Sequence, residues 1–191
     1  VSPENPLTAR VVVNRAWAAF FGRGLVRTTD DFGFQGEPPT HPELLDTLAV
    51  TFMEQGWSLK KLHKLIMLSK VYQVSSYTRK EFEAIDPFNR LLWRANVRKL
   101  DFEVMRDAFL YIGGKLDLKV AGPGVNLFAE PYSTRRSVYG FIDRQNLPGF
   151  FRTFDFASPD AHSPGRFETS VPQQTLFLRN NPFVRQQAQS M

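Results

Sequence analysis

The residues best equipped for chemistry in this 191-residue chain are arginines. Arg135 and Arg136 are followed by Arg144, Arg152 and Arg166, with Tyr139, Phe141, Phe150, Phe151 and Phe154 between them. A guanidinium is a planar fork of donors that matches carboxylate, phosphate or sulfate. Aromatic rings interleaved with such forks would floor an anion-binding pocket, and Arg135, Arg136, Tyr139, Arg144 and Arg166 are its candidate residues. The competing reading is equally physical. Arg144 and Arg166 would pair with Asp143, Asp155 or Glu168 and tie an irregular lobe together.

The histidines are His41, His63 and His162, and no two of them have a metal-ligand spacing such as HxxxH. His41 stands at a helix start, where it could act as ligand or base or pack on the preceding loop. Asp30 and Asp31 precede Phe32-Gly33 and could offer oxygens to a hard cation, but no DxDxDG spacing supports them. A turn-forming role for Asp30 is the better reading, and no metal site is expected. Cysteine is absent, so these residues contain no disulfide, thiolate nucleophile, zinc–thiolate site or CxxCH haem attachment. GxSxG, GxGxxG, Walker and HExxH patterns are missing too, and no cofactor is expected. An enzyme would have to gather His41, Asp31, Asp46, Tyr139 and Arg136 from separate segments, most simply as a hydrolase or lyase acting on sugars.

These side chains must be positioned by helices. Asn5-Pro6 is an N-cap followed by proline at N1, and apolar residues recur at helical spacing to Phe21, before Gly22 and Gly24. A glycine- and proline-broken loop over residues 31–39 leads to Thr40-His41-Pro42-Glu43, which reads as a capping box between Thr40 and Glu43. The helix that follows, over residues 41–55, carries Leu44, Leu45, Leu48, Ala49, Phe52 and Met53. Ser58 caps a third helix bearing Leu62 and Ile66. Residues 72–80 read as loop, and residues 86–93 as a turn or short helix. Asp101 caps a helix in which Val104, Met105, Ala108, Phe109 and Ile112 recur at three and four. Residues 121–124 (Ala-Gly-Pro-Gly) form a firm break. Pro172 opens a helical or extended piece, and Asn181-Pro182 starts a last helix.

The expected fold is mainly α. A helical bundle spans 1–120, and an irregular Phe-rich lobe spans 121–191 and packs on it, with room for one short β-ribbon in residues 135–155. Trp17, Phe20, Leu44, Leu48, Phe52, Leu62, Ile66, Trp93, Met105 and Phe109 are the expected core. Apolar residues make up 42% of the chain and Phe accounts for 18 of them, enough for a core without staples. The net charge of +5 leans mildly toward anionic partners. Acidic residues scattered among the basic ones disfavour nucleic acid. No apolar run is long enough for a membrane span. The start at Val1-Ser2-Pro3, without Met, reads as a segment of a longer protein.

Several ordered segments carry a resemblance. They include Asn5-Pro6-Leu7-Thr8-Ala9-Arg10, Val13-Asn14-Arg15 with Trp17, and Phe21-Gly22-Arg23-Gly24-Leu25-Val26. Further on come Asp31-Phe32-Gly33, Pro39-Thr40-His41-Pro42-Glu43-Leu44-Leu45-Asp46 and Gly56-Trp57-Ser58-Leu59-Lys60. Arg135-Arg136-Ser137-Val138-Tyr139 and Asn181-Pro182-Phe183-Val184 continue the series. Together they resemble a planctomycete-specific C-terminal domain of unknown function, found in large secreted proteins that also carry a cytochrome-c-like module. The resemblance implies an extracytoplasmic location and neighbouring domains of the same longer chain as partners. It brings no catalytic residues and places any haem in a separate module. The function expected is a non-catalytic binding or assembly module, with an anionic polysaccharide or a neighbouring domain as its partner.

Overall fold

Asn5 begins the first helix with its side chain, which accepts from the amides of Leu7 and Thr8. In the computed structural model, residues 4–163 and 165–190 are described. Val1 to Pro3, and Pro164 of the loop over 158–166, lie outside the described residues. The first helix, α1, spans Pro6–Phe21 and stops at Gly22, whose φ of 82° is the left-handed conformation that glycine adopts without strain. α2 (Pro42–Glu54) and α3 (Leu59–Met67) both pack on α1, and α4 (Lys80–Ile85) follows. The second half contains α5 (Phe102–Ile112), a single 3-10 turn at Ser137–Tyr139, α6 (Gly149–Thr153), α7 (Pro172–Asn180) and α8 (Pro182–Ala188).

The class is therefore mainly α. The β-ribbon expected in residues 135–155 does not form. Among the described residues, pairing in the second half is limited to isolated bridges, Asp117 with Arg135 and Val125 with Gly140. Residues 137–139 coil into the 3-10 turn because Asp107 accepts from both the amide and the hydroxyl of Ser137, at 2.7 Å each. A strand would have to give up both bonds.

Contacts divide the chain into two compact units, Val1–Arg98 and Lys99–Met191. The break read at residues 121–124 lies inside the second. The first unit has its own core, in which Val13, Trp17 and Phe21 of α1 meet Leu45, Leu48 and Phe52 of α2 and Leu62 and Ile66 of α3. Leu44, expected there, is exposed, and Leu45 takes the inner place. Phe20 and Trp93 are half-buried. The second unit has a core of rings around Phe102, with Phe151, Phe154, Leu127 and Leu147 buried beside it. Its α5 turns Phe102, Arg106 and Leu110 inward, one turn apart, while Met105 and Phe109 are only half-buried.

The cap at α2 differs from the expected one. Thr40 does not cap. Its amide and hydroxyl both donate to the carbonyl of Leu25, at 2.8 and 3.3 Å, so His41 is left at the N-cap position without a side-chain cap bond. Pro42 begins the helix at N1, where its missing N–H costs nothing. The capping box is given up to anchor the loop back to the end of α1.

Candidate functional site

The arginine–aromatic cluster lies in the second unit, and much of it serves the unit itself. Arg135 donates to the carbonyls of Pro123 and Ala121 at 2.9 and 2.5 Å, and its guanidinium lies 4.0 Å from the centre of the Tyr139 ring. The Tyr139 hydroxyl accepts from the amide of Ala121 at 2.9 Å. Arg166 forms a fork with both oxygens of Glu103, at 2.7 and 2.8 Å, and lies over the ring of Phe156. The fork closes on Glu103, with Asp101 as a second carboxylate at 3.9 Å. Asp155 instead accepts from the amide and hydroxyl of Thr169. Arg136 stands 3.9 Å from Asp107 and is half-exposed, and Arg144 is exposed.

The Glu103–Arg166 fork has a pH consequence. Burial pushes the Glu103 carboxyl up, but the hydrogen bonds from Arg166 and the backbone outweigh it and hold the group below its ordinary value of 4.5. A carboxyl held lower in the folded state contributes stability above its unfolded value and loses it as pH falls through the folded value. Stability of the second unit should therefore fall on acidification below about pH 4.5. Glu103→Gln should flatten that part of the curve, as read by urea midpoints across an acid series. An equally steep acid loss in the variant would show that other carboxylates carry it.

The first unit holds the better-formed site. A recess of about 400 Å³ opens between the end of α1, the segment over 22–28, the start of α2 and the turn over 86–96. Trp17, Phe21, Leu25 and Leu92 form its apolar side, and Arg23, Arg27, Arg90 and His41 its polar side. Trp17 and Phe21 are stacked at 4.2 Å and buried, so the floor is rigid. Arg27 has Glu37 at 3.9 Å. Arg23 and Arg90 have no carboxylate partner among the described residues.

Three buried polar side chains brace the walls. Asn14 is fully buried, and its amide group both accepts from Val26 N and donates to Val26 O, at 2.9 Å each. That pins the segment carrying Arg23 and Arg27. Gly24 sits so close to this clamp that a Cβ would stand 2.4 Å from Val26 O. On the other wall, Asp86 accepts from the amides of Arg90 and Leu91, at 3.0 and 2.8 Å. Its carbonyl takes the Trp93 Nε1 donor at 3.0 Å. Asn89, with a φ of 52°, donates to Arg94 O and to Asn96, which in turn donates to Phe21 O at the end of α1. The third wall is fixed by Thr40 on Leu25 O, and the Thr40 hydroxyl meets His41 Nδ1 at 3.0 Å.

Of the residues singled out in the sequence, His41 lies in this recess, and Arg135, Arg136, Tyr139, Arg144 and Arg166 belong to the other unit. Asp46 is taken by Arg10 at 2.6 Å, and that hydrogen bond holds its carboxyl below the usual range. Asp30 lies in the turn that Asp31 N closes by donating to Thr28 O at 3.0 Å, and the Asp31 side chain accepts from Gly33 N at 2.7 Å. His63 packs edge-on against Phe20. No group of three or more metal-binding side chains occurs among the described residues.

A family model described as PSD1, a protein of unknown function (DUF1553), matches residues 1–191. The chain belongs to that family. Comparison with curated proteins and with solved structures finds no match. Membership thus fixes no chemistry, and the recess has to be judged on its own geometry. Arg23, Arg27 and Arg90 escaped sequence reasoning because they are scattered singly. The available signal was Asn14, a polar residue on the apolar face of a valine-rich helix, where an amide is seldom placed without buried backbone to satisfy.

Proposed function

We propose that this PSD1-family chain is a non-catalytic binding module and that its ligand is anionic. The observation supporting this is where the first unit places its buried polar side chains. Asn14, Asp86 and Asn89 all brace the walls of one recess. A buried polar group is costly unless it is fully paired. Here the pairing fixes the segments that carry Arg23, Arg27 and Arg90, which is how a binding constellation is held ready before its ligand arrives. The apolar floor with a few convergent polar groups is the usual make-up of a ligand pocket.

The ligand proposed is an anionic glycan, with a neighbouring domain of the same longer chain as the alternative occupant. The wider setting is that of the resembled proteins, planctomycete and extracytoplasmic, with a cytochrome-c-like module elsewhere in the same polypeptide. No helix of the described residues is long and apolar enough to cross a membrane. A sugar-directed enzyme has less support, because Asp46 and Asp31 are committed to Arg10 and to the loop.

Retention on immobilised sulfated and uronate glycans tests the reading. Replacing Arg23, Arg27 and Arg90 with alanine should weaken binding by about tenfold or more for each guanidinium that touches the ligand. An Arg136→Ala, Arg144→Ala pair run in parallel should leave retention unchanged. Equal retention of the triple variant, or none by the unaltered chain, counts against the proposal. Loss in the parallel pair instead moves the site to the second unit.

A further inference from the structure

We infer that the recess is built for a compact dianion with an apolar face, two acidic groups carried on one ring or on two adjoining rings. The inference rests on the binding-module reading and adds the size and charge of the ligand to it.

Size comes first. About 400 Å³ lies at the lower end of small-molecule sites, which leaves room for one or two rings and not for a long stretch of polymer.

Charge comes second. Arg23 and Arg90 reach the recess from two separate segments, and neither has a carboxylate partner among the described residues. Arg27 has its charge partly answered by Glu37 at 3.9 Å. Two guanidinium charges therefore remain for a ligand to neutralise. A dianion can engage both guanidinium groups at once, where a monoanion engages one. The start of α2 offers no substitute. Pro42 at N1 has no N–H to give, and Glu43 in the first turn already supplies negative charge to the helix end.

Shape comes third. The side formed by Trp17, Phe21, Leu25 and Leu92 offers nothing to a bare inorganic ion, but matches the non-polar face of a ring. An acidic disaccharide at a glycan end and a free aromatic dicarboxylic acid share this chemistry.

Calorimetric titration of the 191-residue chain separates them. The probes are a diuronate with its monouronate, benzene-1,3-dicarboxylate with benzoate, and inorganic sulfate. At least one diacid should bind about tenfold tighter than its monoacid, with sulfate weaker than that diacid. Arg23→Ala and Arg90→Ala should each erase the diacid's advantage, while Arg23→Lys and Arg90→Lys keep part of it. The preferred diacid identifies the source. Both arginines are exposed, so thermal melts of the variants should match the unaltered chain. The inference is overturned if neither diacid is preferred, if the preference survives both alanine variants, or if sulfate binds as well as the better diacid. If glycan retention still requires the three arginines in those cases, only the dianion falls. If nothing anionic is retained, the binding-module reading falls with it.

Discussion

Phe102→Ala should destabilise the second unit by about 3–5 kcal/mol, the upper range for deleting a buried ring. Phe102 opens α5 and is 2% exposed. Its ring centre lies 4.9 Å from that of Phe154, 5.5 Å from Phe150, 5.6 Å from Phe128, 5.7 Å from Phe177 and 5.8 Å from Phe151. Truncation removes the transfer free energy of one phenyl group and the edge and offset contacts to five others. The neighbours come from three separate stretches of chain, so they cannot all close on the void. Phe102→Leu should recover a large part of the loss because it refills most of the space. Urea denaturation followed by the tyrosine signal, or by exchange of the α5 amides, gives the measurement. A loss below about 1 kcal/mol would mean that the ring cluster collapses freely and is not a packed core.

Arg106→Ala should be comparably damaging, at about 3–5 kcal/mol. The side chain is 1% exposed and donates to the carbonyls of Ser133 and Arg135 and to the hydroxyl of Ser137. Burial pushes its pKa down, against an upward pull from Asp107 at 3.7 Å. The guanidinium also lies over the ring of Phe183 in α8, at 5.1 Å. It thus joins α5 to the segment over 133–137 and to α8. Alanine would take this donor from the part-buried carbonyls of Ser133 and Arg135, and losing the partner of a desolvated acceptor costs more than the bond itself contributes. Arg106→Lys should rescue little, because one ammonium cannot reach acceptors spread along a planar fork. Equal stability of the lysine variant would show that charge matters here rather than fork geometry.

These two residues also show what the sequence made legible. Helix ends were readable where a side chain meets its own backbone, as at Asn5, Ser58 and Asn181, because capping depends on neighbours only a few residues away. Which face of a helix turns inward depends on distant partners. On α5 the periodicity pointed to Met105 and Phe109. The buried row instead runs through Arg106, which reads as surface until the carbonyls of residues 133 and 135 are brought against it. Thr40 departs from the capping-box pattern for the same reason, since the backbone that claims it, at Leu25, is fifteen residues away. Short helices such as α4 and α6 lack enough turns to leave a periodic trace. The guanidinium cluster of the second unit was visible as composition, but its use was not. Arg135 serves carbonyls at 121 and 123, and no pattern in sequence distance announces that. The recess is the opposite case, because its arginines look unremarkable until the buried amides behind them are traced.

The stacked pair at the floor of that recess has a practical corollary. Trp17, Trp57 and Trp93 are the three indoles of the chain, and all belong to the first unit. Trp17 lines the recess from the core side, while Trp93 is tethered to the wall through Asp86. Indole emission therefore watches one half of the polypeptide and is blind to the other. A guest seated against Trp17 should shift that emission without any label being attached, so occupancy can be followed by light excited at the red edge, where the tyrosines of the other half do not absorb.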